Sequence, residues 1–273
     1  MRISFLCTLL VAALTIYSCK NNPITGRSQM SLIPETELQN MSAQQYAQFL
    51  ASNRVVPTTT GNKDAVMVRR CGDRIIEAIT KYYNEKGLGA ELSGYKWEVN
   101  LVDDKTPNAW CMPGGKIVVY TGLLPITQNE DALAVVMGHE VAHALGKHGS
   151  ERMSKGMIQQ FGALSLSLAM ANKPQVTQNL WMQAYGMGSN VLGILPFSRK
   201  HELEADRLGL QFSALAGYDP RAAIPFWQRM GQLSQGQAPP EFLSTHPSDG
   251  RRIEELNKIM DDVVKNYYRP RKS

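Results

Sequence analysis

Gly138-His139-Glu140-Val141-Ala142-His143-Ala144-Leu145-Gly146 is the stretch on which the reading of this chain turns. It lies in an apolar run (Leu133, Val135, Val136, Val141, Ala142, Ala144 and Leu145) that opens on Asn129, Glu130 and Asp131. That pattern predicts a helix with an acidic first turn. At ~100° per residue, His139 and His143 point about 40° apart and one turn apart in height, and Glu140 projects between them.

Two neutral imidazoles so placed suit one Zn²⁺ at roughly 2.0–2.1 Å, with a position left for water whose pKa the ion lowers to about 7. Glu140 is not needed as a ligand. Its expected work is to take a proton from water attacking a peptide carbonyl and to return one to the leaving amine. A buried helix with purely structural histidines is the competing reading, and the helical context required of the motif argues against it.

A zinc site with two histidines still lacks a ligand. The predicted helix from Arg199 to Ala216 carries Glu202, Glu204 and Asp206. Glu202 and Asp206 share a face, whereas Glu204 points about 160° away from Glu202. Glu202 is therefore the expected third ligand, and Asp206 is placed to hold a ligand histidine through its other nitrogen. A solvated acidic face is the alternative. A third histidine six residues after His143 would complete a different site, but that position is Gly149, and His148 is one residue short and ~100° off direction.

With 273 residues, 43% of them hydrophobic and 19% charged, the chain is long enough for one domain with a full core. The net charge of +5 is modest and its basic residues are scattered, so no nucleic-acid partner is indicated. Met1-Arg2 and the apolar run from Ile3 to Ile16 have the form of a secretory signal, and Ile16-Tyr17-Ser18-Cys19 resembles a bacterial lipobox. Residues 1–18 are thus expected as a lipoprotein signal peptide, with an ordinary cleaved signal or a retained anchor as the alternatives. Cys19 is the expected lipidation site, 19–30 a flexible tether, and 31–273 a single domain. This places the protein in the bacterial cell envelope, facing the periplasm on the outer membrane, with a lipid anchor as its membrane contact. Cys71 and Cys111 remain, with two buried thiols favoured over a disulfide.

Further along, helices are expected from about Glu35 to Ala51 and from about Asn62 to Glu85, the second turning Val66, Val68, Ile75, Ile76 and Ile79 to a core. Alternation predicts a half-exposed strand at 97–102, and Lys116 to Tyr120 reads as a second strand. The stretch from Thr106 to Gly115 between them is either a plain hairpin or a border of the site. Zinc peptidases with this type of helix add an extended substrate to a sheet edge, which makes Asn108 and Ala109 the substrate-binding candidates. Gly156 to Asn172 and Pro174 to Ser198 carry no charge; they read as a helical hairpin that is either core or a hydrophobic lid. Asp219-Pro220 opens another helix, Gly236 to Pro240 is a loop, and a helix from Ser248 to about Val264 ends the pattern.

In order along the chain, Asn108-Ala109 with Pro113-Gly114-Gly115, Thr121-Gly122-Leu123-Leu124, His139 to His143, Glu202 to Asp206, and Thr245-His246-Pro247 form a set of blocks. With these blocks the chain resembles the gluzincin family that includes the HtpX heat-shock protease, the CAAX prenyl endopeptidase and the periplasmic protein BepA. The resemblance spans roughly Ser31 to Asn257. It implies an α+β, mostly helical zincin-like metallopeptidase domain with a small β-sheet beside the active-site helix. It further implies zinc held by His139, His143 and Glu202, Glu140 as catalytic base, and Asp206 as the acidic support of a ligand. His246 matches a histidine that can approach the zinc as a fourth, masking ligand; stabilising the oxyanion is its alternative role. His148 and His201 receive none. The expected function is an envelope zinc endopeptidase acting on misfolded or unassembled proteins, and the alternative is a chaperone-like client-binding lipoprotein.

Overall fold

The computed structural model describes residues 19–157, 198–233, 241–246 and 250–271. Among these, the chain begins with a small antiparallel ribbon, β1 (Cys19–Asn21) and β2 (Ser28–Met30). This corrects the expectation of a flexible tether over 19–30. The physical reason is that its polar side chains have partners far along the chain. Asn22 Nδ2 donates to the Leu145 carbonyl at 3.0 Å, Gln29 Nε2 donates to the Gly146 carbonyl, and Arg27 pairs with Glu151 and Glu204. A polar composition reads as a tether only while those partners are out of view.

Helix α1 (Glu35–Ser52) and the short β3 (Val55–Val56) lead to α2 (Lys63–Glu85), whose Asn62 side chain accepts from the Ala65 N–H. Helix α2 buries Ala65, Val68, Cys71, Gly72, Ile75, Ile79 and Tyr83. Val66, expected on that face, is exposed, since it lies two residues from Val68, about 200° round the helix.

The sheet follows with β4 (Glu98–Val102), β5 (Ala109–Met112) and β6 (Lys116–Tyr120), in the order β3-β4-β6-β5. Strands β4 and β6 run parallel, and β5 is antiparallel to β6 at one edge. Period-two alternation divides its side chains between two clusters. Val99, Leu101, Ala109, Cys111, Ile117 and Val119 enter the main core. Val102, Trp110, Met112, Val118 and Tyr120 face the other way, onto Leu38 and Tyr46 of α1 and onto Met153 and Met157. On the strand expected to be half-exposed, Glu98 is exposed and Asn100 half-buried, and only Val102 of that face is covered.

After the short α3 (Leu124–Thr127) comes α4 (Glu130–Leu145), capped by Asn129, whose Oδ1 accepts from the Ala132 N–H at 2.8 Å. Every residue from Ala132 to Leu145 is buried, as expected of a helix that is apolar on all sides. A further helical segment, α5, covers 148–157. Helices α6 (Arg199–Leu215), α7 (Ala223–Gln232), α8 (Glu241–Thr245) and α9 (Gly250–Asn266) complete the described chain. The expected hairpin at 156–198 and the loop at 236–240 fall largely outside the described residues. Cys71 and Cys111 are buried free thiols. Among the described residues no helix is long and apolar enough to cross a membrane.

Helices α4 and α6 cross where Gly138 meets Gly209. A Cβ on Gly138 would lie 2.7 Å from the Gly209 carbonyl oxygen, and one on Gly209 would lie 2.7 Å from the His139 nitrogen. Only two glycines allow backbones this close. The crossing lies next to His139, and it brings Glu202 and Asp206 of α6 to the two histidines of α4.

Candidate metal centre

His139, His143, Glu202 and His246 each offer a ligand atom, and these atoms all lie within 4.8 Å of one another among buried side chains. His139 Nε2 is 3.0 Å from His143 Nε2, 3.6 Å from Glu202 Oε2 and 3.3 Å from His246 Nδ1. Glu202 Oε1 is 3.4 Å from His143 Nε2 and 3.2 Å from His246 Nδ1. Ligands at roughly 2.0–2.1 Å in a tetrahedron stand about 3.3–3.4 Å apart, so these separations fit zinc. The donor chemistry fits as well. Two buried Nε2 atoms face each other, burial holds the His143 imidazole well below its usual range, and a cation between them uses both lone pairs.

Glu140 lies beside this cluster, its Oε1 3.6 Å from His246 Nε2. Burial raises its carboxyl above the usual range, opposed by His246 and His139. Asp206 Oδ1 stands 3.0 Å from His139 Nδ1, where it can orient that ring. Although burial works against ionisation of Glu202 and Asp206, the cations around them keep both carboxylates below their usual range.

The last group responsible, Arg252, was missed in the sequence. Its Nε and Nη2 donate to the two oxygens of Asp206 at 2.8 and 2.6 Å, Nη1 is 2.8 Å from Glu202 Oε2, and the guanidinium lies 3.7 Å from the centroid of the Trp227 ring. A signal was present: Arg252, Leu256, Met260 and Val263 are the buried stripe of α9, so a charged residue stands on an apolar face.

His148 was also passed over. A continuous α4 would carry His148 ~100° off direction, whereas α4 ends at Leu145 and Lys147 takes a left-handed φ of 55°. That turn carries His148 back behind His143, with the two Nδ1 atoms 3.0 Å apart. His201 stacks on His148 at 4.5 Å between centroids. Asn108 and Ala109 lie at the start of edge strand β5, where Asn108 Oδ1 accepts from the Ala109 N–H at 2.9 Å.

Fold and site together define a metallopeptidase domain built on a His-Glu-x-x-His helix. The model of Peptidase family M48 matches residues 73–260, and the chain belongs to that family. It is 37% identical over 201 residues to the mitochondrial metalloendopeptidase OMA1 of Saccharomyces cerevisiae, an overlap covering 71% of this chain and 55% of that protein. It is 31% identical over 251 residues to the mitochondrial metalloendopeptidase OMA1 of Homo sapiens, covering 89% and 46%. With the beta-barrel assembly-enhancing protease of Escherichia coli the identity is 31% over 187 residues, covering 64% and 37%. The chain thus spans about half the length, or less, of these relatives.

The comparisons correct the expected location. Relatives from fungi, a plant and animals, matched over 63–94% of this chain, are mitochondrial by name. A bacterial outer-membrane lipoprotein, read from a short apolar run and a single cysteine, does not stand against them.

Proposed function

We propose that the chain is a zinc-dependent endopeptidase that cleaves extended segments of misfolded or unassembled proteins. The observation that carries this reading is the buried convergence of the four ligand atoms with Glu140 beside them. His139, His143 and Glu202 would hold the zinc, which when bound supplies Lewis acidity toward water and the peptide carbonyl. Glu140 accepts the proton of the attacking water and delivers it to the leaving nitrogen. Its burial suits both halves of that task, because a raised carboxyl pKa makes it a willing acceptor that also holds the proton until the amine departs. Asp206, itself gripped by Arg252, orients His139.

Edge strand β5 supports the preference for extended substrates. The Tyr120 N–H donates to the Asn108 carbonyl, and the register pairs Ala109 with Val119. The backbone groups of Ala109 and Cys111 therefore point away from β6. An extended peptide would pair with these groups, and folded chains rarely leave a free strand to donate.

One observation favours a second reading. His246 fills the fourth corner, as it would in a closed site serving a chaperone-like client binder. Glu140→Gln separates the two, with cleavage of one protein followed in its native and unfolded forms. The enzyme reading expects zinc retained and cleavage of the unfolded form reduced by roughly 10²–10⁴-fold. Undiminished cleavage in the variant sinks it. Equal client binding with no cleavage in wild type or variant supports the binder.

A further inference from the structure

His139 is backed by Asp206 and Arg252, and His143 has a backing of its own on the opposite side. We infer that His148, Glu204 and Arg27 form a relay of buried polar contacts that fixes the tautomer and orientation of His143, making the N-terminal ribbon a positioning part of the metal centre. The inference rests on His143 being a zinc ligand.

A histidine that coordinates through Nε2 carries its proton on Nδ1 and needs an acceptor there. The atom facing His143 Nδ1, at 3.0 Å, is His148 Nδ1. His148 must then present a lone pair at Nδ1 and keep its own proton on Nε2. That nitrogen faces Glu204 Oε1 at 3.4 Å, an ion-pair contact longer than the other links. The other Glu204 oxygen accepts from Arg27 Nε at 2.8 Å, and Arg27 Nη1 donates to Glu151 Oε2 at 2.6 Å. Glu151 Oε2 also stands 3.1 Å from His201 Nε2, and the His201 ring stacks on His148 with only 12° between planes. Ring, hydrogen bond and carboxylate thus define the His148 position from separate elements.

Arg27 lies on the turn of the ribbon, outside the residues matched by the family model. The same ribbon binds the last carbonyls of α4 through Asn22 and Gln29, next to His143. Glu204 on α6 links the two. Its direction away from Glu202, which removed it from the ligand set, is what lets it reach His148.

The test uses the full chain and measures zinc affinity by competition with a chelator of known strength, alongside the melting temperature of the zinc-free protein. His148→Ala should weaken zinc binding by roughly 10–100-fold, and Arg27→Met by about tenfold. His148→Asn, whose amide oxygen can accept from His143, should recover most of the loss. Wild-type affinity in His148→Ala or in Arg27→Met overturns the inference. So does an equal loss in His148→Ala and His148→Asn that tracks a lower zinc-free melting temperature, since that marks mere packing. Should His148→Ala not fold, His148→Asn near wild type together with a weakened Arg27→Met supports the relay, and any other combination rejects it. A wild-type protein that binds no zinc removes the metal centre itself.

Discussion

Arg252 holds Glu202 and Asp206 in one grip, its Nη1 2.8 Å from Glu202 Oε2 and its Nη2 2.6 Å from Asp206 Oδ1. Three buried charges cluster here, and removing the cation leaves two buried carboxylates without their shared counter-charge. Arg252→Met should destabilise the fold by about 3–5 kcal/mol, the usual cost of breaking a buried ion pair from one side. Arg252→Lys keeps the charge but lacks the fork and the flat face that lies on Trp227. It should fall between the two in urea unfolding. If Arg252→Met unfolds at the wild-type midpoint, the grip contributes nothing.

The crossing of α4 and α6 sets the spacing of the ligands. Gly209→Ala would place a methyl group 2.7 Å from the His139 nitrogen, so the helices must part. Overpacking of this kind costs about 1–3 kcal/mol. Because His139 and Glu202 stand on the two helices being separated, zinc affinity should fall together with stability. A variant that is less stable but binds zinc as tightly as wild type would show that the site tolerates the shift.

Helical period placed His139, His143, Glu202 and Asp206 correctly on their helices, because one face of one helix is a local property. The strand at 98–102 was legible for the same reason, in period two, and the one at 116–120 through its β-branched residues. What sequence could not supply was partnership between distant segments. Arg27 and Glu204 are 177 positions apart, and Asn22 and the Leu145 carbonyl 123. Arg252 left a trace, a charge on an apolar stripe, that went unused. His148 was misjudged because one left-handed residue, Lys147, broke the helix on which the angular argument relied. The location was misread because a short apolar run and a cysteine carry little information about the compartment.

Glu151 ties stability to pH. Burial opposes its ionisation, yet hydrogen bonds from His201, Lys155 and Arg27 prevail and hold its carboxyl well below the usual range. A depressed folded pKa contributes stability that is complete above the unfolded value, about 4.3, and is lost as pH falls toward the folded value. Glu151→Gln should therefore be less stable than wild type near neutral pH. The gap in unfolding free energy should stay constant down to about pH 5 and close progressively below about pH 4. A gap that is unchanged at low pH would mean that the Glu151 charge is not what holds Arg27.

His246 occupies the corner of the site that water must fill for hydrolysis, with Nδ1 3.3 Å from His139 Nε2 and 3.2 Å from Glu202 Oε1. Its ring stacks on Phe242 at 4.7 Å, and its N–H donates to the Phe242 carbonyl at 2.8 Å, so the short helix α8 carries it into place. A fourth protein ligand closes a catalytic zinc site, which needs an open position. If substrate must displace His246, only the open fraction of molecules is active, and a site masked nine times in ten would gain about tenfold when the mask is removed. His246→Ala should therefore cleave a short peptide faster than wild type, with zinc still bound through His139, His143 and Glu202. The other role open to this residue gives the opposite sign. His246 Nε2 is 3.6 Å from Glu140 Oε1, which puts the ring beside the residue expected to act on the attacking water. There it would stabilise the oxyanion, and its loss would lower kcat by roughly 10²–10³-fold with zinc retained. Peptide kinetics and zinc content measured on the same sample decide between mask and oxyanion donor.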